Sequence, residues 1–146
     1  MKPTKPRAVR RRLTKAQLLP LPTRDVQRLS LKHHLALAAL LTGRADVDSI
    51  ATLLNVVYLA FFLRNPDDVE PSRYREAEDV LNAIVARMQR GECERPSEHE
   101  RTVLEQVVIE HDAQMATVAK YRLVDAWSRL AHVIKLGSVS PIPAGE

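Results

Sequence analysis

The segment DSIATLLNVVYLAFFLRNP, residues 48–66, contains an apolar run of 14 residues from Ile50 to Leu63, interrupted by few polar side chains such as Asn55. A helix that crosses a bilayer needs about 20 apolar residues. The run is therefore expected to be a buried helix of a soluble, non-membrane protein, enclosed by other helices. Only four of the 146 residues are glycine, and Ala, Leu and Val are abundant, which favours helix. Only six residues are aromatic, which argues against a β-sandwich. We expect an all-α fold, a four-helix bundle-like domain.

Local signals place the first two principal helices on either side of a short link. The first is expected to start after Thr23 and end near Thr42, with Gly43 as its C-terminal cap. The second follows Asp46, the predicted N-cap, and is closed by Pro66, because the residue before a proline avoids helical geometry. So short a link predicts an antiparallel helical hairpin.

The third and fourth helices follow a polar loop. The third is predicted to begin at Ser72, as its cap, and to end at Gly91. The fourth opens at Ser97 with capping-box spacing, and neither Gly nor Pro recurs before Gly137. It is therefore predicted as one long helix of about 40 residues, roughly 60 Å. Such a helix either bends near residues 111–114 or projects to meet a second subunit, which would make a homodimer.

The positive charge is confined to the N-terminus. Eight Lys and Arg residues and no acid occur through Arg24, whereas 14 basic and 18 acidic residues follow. Residues 1–12 are proline-interrupted and nearly without apolar content, so the arm is expected to be disordered when free. Thr14 and Gln17 predict one short helical turn, and Pro20 and Pro22 then predict an extended strap whose leucines, Leu18, Leu19 and Leu21, lie against the body. The predicted organisation is an arm and strap at 1–22, a helical domain at 23–136 and a flexible tail at 137–146.

The basic arm is the strongest functional feature. Lys and Arg at this density neutralise phosphates and release counterions without reading base sequence. The candidate nucleic-acid-binding residues, for DNA or RNA, are Lys2, Lys5, Arg7, Arg10, Arg11, Arg12 and Lys15. An arm of this kind also serves as a solubilising terminus, or folds onto the acidic body of its own or a partner chain; the pattern leaves these alternatives about even.

The apolar run itself carries a second hypothesis, a DNA-reading helix-turn-helix. Ala51 and Asn55 have the spacing of the residues that precede and form the turn. The positions that would face the groove, 57–60, are Val, Tyr, Leu and Ala, which offer one hydroxyl between them. Base reading needs Arg, Lys, Asn, Gln or similar groups. The pattern therefore favours a continuous core helix.

The block LLPLPTRDVQRLSLKHHLALAALLTG and the apolar helix after it resemble short helical proteins of proteobacterial plasmids and integrative elements. Those proteins are labelled as regulators of the factor-for-inversion-stimulation (Fis) type. The resemblance covers about residues 13–64 and implies DNA binding and dimerisation in transcriptional regulation. Members of that DNA-bending family carry a helix-turn-helix with a basic recognition helix at the C-terminus. The stretch 121–136 here has no glycine turn, so no site residue is carried over.

The remaining residues suggest no reaction. His33 and His34 are adjacent, so on a helix they point about 100° apart and cannot easily share an ion. His111 is the one histidine worth testing for metal, but no metal and no cofactor are predicted. The single cysteine, Cys93, lies between Glu92 and Glu94, whose carboxylates oppose thiolate formation. We therefore expect a non-enzymatic protein.

Two further expectations concern location and partners. A lone cysteine forms no intrachain disulfide and the N-terminus has no secretory apolar region, so the protein is expected in the cytoplasm. Trp127, the single tryptophan, is the candidate anchor for a protein partner, because interface hot spots favour Trp. Its alternative role is an ordinary core residue. A protein-interaction module from a mobile element is thus the alternative to nucleic-acid binding.

Overall fold

The computed structural model describes residues 12–67, 70–92, 95–137 and 140–143, and within these ranges all regular structure is helical. The expected all-α class is confirmed there. The described helices are α1 (Lys15–Leu18), α2 (Thr23–Leu41), α3 (Val47–Leu63), α4 (Ser72–Gln89), α5 (Glu98–Thr117) and α6 (Lys120–Leu136).

Most helix ends lie where their capping residues predicted them. The short turn at Thr14 has the expected capping box, and so does the start of α5 at Ser97. Asp46 caps α3 by accepting a hydrogen bond from the Ser49 backbone N–H at 2.8 Å. Two starts differ by one residue, because prolines rather than hydroxyl side chains occupy the cap positions of α2 and α4. Proline has no N–H to satisfy and a fixed φ, so it suits the boundary of a helix.

The apolar helix α3 is the centre of the fold and contacts α2, α4, α5 and α6. Leu53, Val56, Val57 and Ala60 are each at most 1% exposed, and they belong to a first hydrophobic cluster built from α2, α3, α4 and α5. Each fully buried side chain of this size contributes about 1.5–3 kcal/mol, so burial on several sides holds α3 in place. No helix among the described residues combines the length and apolar content that crossing a membrane requires.

The single long fourth helix predicted from the sequence is wrong. The chain leaves helical geometry at Val118 and Ala119, which have φ/ψ near −76°/147° and −61°/141°, and α6 begins at Lys120. The break follows the predicted bend region by a few residues and involves neither Gly nor Pro. A second hydrophobic cluster explains it: Met115 of α5 and Leu123 of α6 both pack with Leu59 and Leu63 of α3, together with Ala126 and Leu130. Burying both helices against one end of α3 outweighs the few hydrogen bonds that a continuous helix would add.

The break makes a testable prediction at Ala119. Its φ of −61° suits proline, Val118 is already extended, and the Ala119 N–H has no hydrogen-bond partner among the described residues. Ala119→Pro is therefore expected to change the free energy of unfolding by less than about 1 kcal/mol in urea denaturation. Ala113→Pro, in the exposed interior of α5, is the matched control and should cost about 3 kcal/mol or more. Equal losses for the two variants would show that the helix continues through residue 119.

The two ends of the described chain also depart from expectation. Ile142, predicted to lie in a flexible tail, is 5% exposed and belongs to the first cluster. The Ser140 hydroxyl donates to Glu78 at 2.6 Å and accepts from the Ile142 backbone N–H, which holds this segment against α4. In the strap, Leu18 and Leu19 are more than half exposed rather than packed on the body, whereas the neighbouring leucine at 21 is half-buried against the second cluster.

Candidate functional site

The structure describes two of the seven predicted phosphate-binding residues. Arg12 and Lys15 are exposed, and Lys15 is the first residue of α1. The other five, Lys2, Lys5, Arg7, Arg10 and Arg11, lie outside the described residues, as does the predicted disorder of the arm. The structure therefore positions only the base of the arm, which comprises Arg12 and Lys15, relative to the helices.

Helix α1 lies on α6, which brings the base of the arm to a second group of cations. The Lys120 backbone N–H donates to the Leu19 carbonyl at 2.8 Å, satisfying one of the free N–H groups at the start of α6. Lys120 and Arg122 are exposed at this end of α6. We call Arg12, Lys15, Lys120 and Arg122 the basic rim. Since more than 100 residues separate its two halves, no local sequence signal could have joined them.

The cations of the basic rim differ from six arginines of the body, which form ion pairs with acidic side chains. None of the four has an acidic partner among the described residues. Elsewhere, ion pairs engage Arg28, Arg73, Arg87, Arg90, Arg101 and Arg129. The Arg87 pair is bidentate and partly buried, with both guanidinium nitrogens within 3.1 Å of the Glu100 carboxylate. Cations without internal partners remain available to an external anion.

The continuous core helix that the sequence favours over a helix-turn-helix in the apolar run is confirmed. Helix α3 continues through Asn55 without a turn. Val57, Leu59 and Ala60 are buried, and Tyr58 is half-buried. A recognition helix must present polar side chains to a groove, and this part of α3 offers only the half-buried hydroxyl of Tyr58, which is hydrogen-bonded to Glu78. Any contact with nucleic acid therefore involves another surface.

A polar cluster lies between α2 and α5 inside the otherwise apolar core. The rings of His33 and His111 lie 5.4 Å apart, and His111 is fully buried. The Gln114 side chain donates from Nε2 to the Ala60 carbonyl at 3.0 Å, so its Oε1 accepts from His111 Nδ1 at 3.1 Å. That bond places the His111 proton on Nδ1 and leaves Nε2 as a bare acceptor. His33 Nδ1, His111 Nε2 and Asp112 Oδ1 are buried without a hydrogen-bond partner in the described part of the chain.

Burial makes both buried histidines poor bases. Desolvation, and then the neighbouring His111, lower the pKa of His33 from 6.5 to about 4, although Asp112 acts in the opposite direction. Desolvation also lowers the pKa of His111, against the raising effect of its hydrogen bond with Gln114. Both rings are therefore neutral near pH 7. Protonation of either ring in acid is therefore expected to weaken the contact between α2 and α5.

Two of the other histidines, His34 and His99, are exposed on α2 and α5, the helices that carry this cluster. His34 Nε2 is 2.6 Å from Asp112 Oδ2, and His99 Nε2 is 2.7 Å from Glu76 Oε1. Sequence reasoning singled out His111 for a metal test, but within the described ranges no three His, Cys, Asp or Glu side chains are arranged to hold a metal ion. Cys93 lies outside the described residues.

Trp127, the predicted partner anchor, is half-buried on α6 and packs against the second cluster. Its position within the repeat Leu123, Trp127, Leu130, Ile134 puts it on the inward face of the helix. Exposure rises along that face, from buried at Leu130 to 61% at Ile134. The tryptophan itself therefore contributes to the core, and the free apolar surface lies at the far end of α6.

Comparisons with known proteins add no relative: no protein-family model matches the chain, and no match was found among curated proteins or among solved structures. The resemblance to Fis-type regulators over residues 13–64 stays a prediction. The functional argument therefore depends on the charges, contacts and burial described above.

Proposed function

We propose that this protein is a nucleic-acid-associated accessory or regulatory protein that binds the phosphates of DNA or RNA without reading base sequence. The observation that carries the proposal is the basic rim, where the exposed base of the arm meets Lys120 and Arg122 and none of the four cations has an acidic partner in the described chain. The arm adds five further basic residues directly upstream. Together these nine basic residues supply positive charge to a body with more acids than bases.

In this role the body is a support. Helices α2, α4 and α5 pack around α3, and these four helices act as a bundle. Helix α6 contacts both α3 and α1, and so connects the bundle to the base of the arm. Because its apolar face continues beyond the second cluster, α6 also supplies the surface for a homodimer. We place this activity in the cytoplasm, and no catalytic reaction, metal or cofactor is part of it.

A competition assay tests the lack of base reading. A labelled duplex bound to the full-length protein at low salt is displaced by unlabelled duplexes of equal length and unrelated sequence. We expect their affinities to agree within about threefold, because phosphate contacts carry no sequence information. A single good bidentate base contact contributes about 1–3 kcal/mol of discrimination. A preference above about tenfold for one sequence, or no binding at low salt, would overturn the proposal.

A protein-interaction module is the second candidate, and the exposed end of α6 favours it. Ile134 and Leu136 are 61% and 73% exposed, beyond the point where Leu130 is buried. A partner helix packing there would extend the second cluster. This candidate predicts that the full-length protein binds no nucleic acid in the assay above, so the same measurement separates the two functions.

A further inference from the structure

An open groove of about 570 Å³ lies where α1 crosses the outer face of α6. Leu13, from the segment before α1, lies on one side, and Tyr121 and Val124 of α6 lie on the other. These three side chains are 44%, 39% and 44% exposed, so each keeps apolar surface in contact with solvent. The groove is thus lined in part by apolar and aromatic surface that the chain itself does not cover.

Cations are sequence neighbours of the residues that form this apolar surface, and one of them lines the groove. Tyr121 lies between Lys120 and Arg122 in the sequence, and Lys120 also lines the groove. Arg12 and Lys15 belong to the chain segment that forms the opposite wall. An exposed aromatic ring within a group of unpaired cations is the combination that binds single-stranded nucleic acid, in which cations follow the phosphates and bases stack on the ring.

We infer that the α1–α6 groove binds single-stranded nucleic acid, with an unpaired base stacked on Tyr121 and the adjoining phosphates on Lys120 and Arg122. The inference rests on the proposed function. It narrows the proposed ligand from any nucleic acid with a phosphate backbone to a strand whose bases are accessible. Bases inside a duplex are already stacked on their neighbours, so a surface tyrosine reaches a base face only where the strand is unpaired. The arm then contacts phosphates on either side of the groove.

The groove contains one acid, Asp125, which opposes a phosphate. Its Oδ2 is 3.4 Å from Arg129 Nε, an ion pair that reduces its effect on the groove. Lys120 lines the groove with this carboxylate, and the other rim cations are one or two residues from lining residues in the sequence and have no acidic partner in the described chain. An apolar protein segment in the same groove would desolvate those cations without pairing them, which is costly. The charge therefore favours a polyanion as the occupant.

The test compares two substitutions at Tyr121 on two nucleic acids of equal length. The full-length protein and its variants Tyr121→Ala and Tyr121→Phe are titrated with a thymidine oligonucleotide and with a duplex. Because phenylalanine keeps the aromatic face, Y121F should bind the single strand as the parent does. Y121A should bind it about 5- to 150-fold more weakly, the range that corresponds to stacking one base. Duplex affinity should change by less than about twofold for either variant, since the cations are unaltered.

A fluorescence readout makes the stacking itself visible. In the double variant Tyr121→Trp, Trp127→Phe, the only tryptophan lies in the groove, and its emission should be quenched by the single strand and not by the duplex. Equal loss of both affinities in Y121A, or unchanged single-strand affinity, would overturn the inference while duplex binding by the parent still supports the proposed function. Failure of the parent to bind either nucleic acid would overturn both. Thermal unfolding of each variant shows whether it retains the fold.

Discussion

Replacing the seven basic residues of the arm and α1 with glutamine is expected to weaken binding to duplex DNA by at least about 1000-fold at low salt. The substituted positions are Lys2, Lys5, Arg7, Arg10, Arg11, Arg12 and Lys15. Each cation that neutralises a phosphate releases condensed counterions, and the gain from that release is lost with the charge. The change removes seven positive charges from a chain whose formal net charge is +4, so the variant is acidic overall. Equilibrium titration with a labelled duplex measures the effect.

A variant with the same loss of charge on the body is the control. Seven exposed cations of the body are replaced by glutamine: Arg28, Lys32, Arg44, Arg90, Arg95, Arg101 and Lys135. Because salt at about 0.1 M screens charges that lie more than about 10 Å from a phosphate, this variant should lose less than about tenfold in affinity when both variants are compared at that salt concentration. Similar losses for the two variants would mean that total charge, rather than the arm and the basic rim, determines binding.

Acid should destabilise the fold well above the pH at which its carboxylates are protonated, because His33 and His111 are buried as neutral rings. Their pKa is lowered in the folded state relative to the ordinary 6.5, with that of His33 at about 4. Between these two values the unfolded chain binds more protons, so stability is complete above pH 6.5 and falls as the pH drops towards 4. His33 costs up to about 1.4 kcal/mol per pH unit in this window, and the lowered pKa of His111 acts in the same direction.

A loss of this size in the free energy of unfolding is a large fraction of the total stability of a domain, which is about 5–15 kcal/mol. Urea denaturation between about pH 7 and pH 4.5 measures it. His33→Leu removes one of the two titrating rings and should lower the slope of stability against pH by up to about half. His132→Gln, at an exposed position of α6, is the matched control and should leave the slope unchanged. A His33→Leu variant with the parental slope would show that the α2–α5 cluster does not titrate in this window.

The groups that face this cluster fix the direction of the effect. His111 and Lys32 favour a neutral His33, whereas Asp112 favours the charged form. Carboxyl groups act at lower pH. The Asp46 carboxyl, whose pKa is lowered by its hydrogen bonds from Ser49, loses its contribution only below its ordinary value of 3.8. A loss of stability that begins near pH 6 therefore belongs to the histidines.

Local chemistry made much of the helical order predictable. Thr14 with Gln17 and Ser97 with Glu100 satisfy backbone groups within four residues, so their capping boxes can be recognised without knowledge of the fold. The apolar run of α3 is buried for an equally direct reason. Its composition leaves no polar face that could meet water.

The features that escaped prediction depend on contacts between distant residues. The break at Val118–Ala119 contains neither Gly nor Pro. It is stabilised by tertiary packing that puts Leu123 and Leu59 in one hydrophobic cluster. The meeting of His33 with His111 requires α2 and α5 to be neighbours. The basic rim likewise requires α1 to lie on α6, a contact that includes the backbone hydrogen bond from Lys120 to Leu19. Such sites follow from tertiary packing, which a helical pattern does not specify.

The salt dependence of duplex affinity, measured for the full-length protein and the seven-glutamine arm variant, tests the assignment of phosphate binding to the arm and the basic rim most directly. For the full-length protein, nine phosphate contacts (the seven substituted cations with Lys120 and Arg122) predict a slope of log affinity against log salt concentration of about −8. The arm variant retains Lys120 and Arg122 and should give a slope no steeper than about −2. Equal slopes for the two proteins, or a full-length affinity that does not depend on salt, would contradict the account.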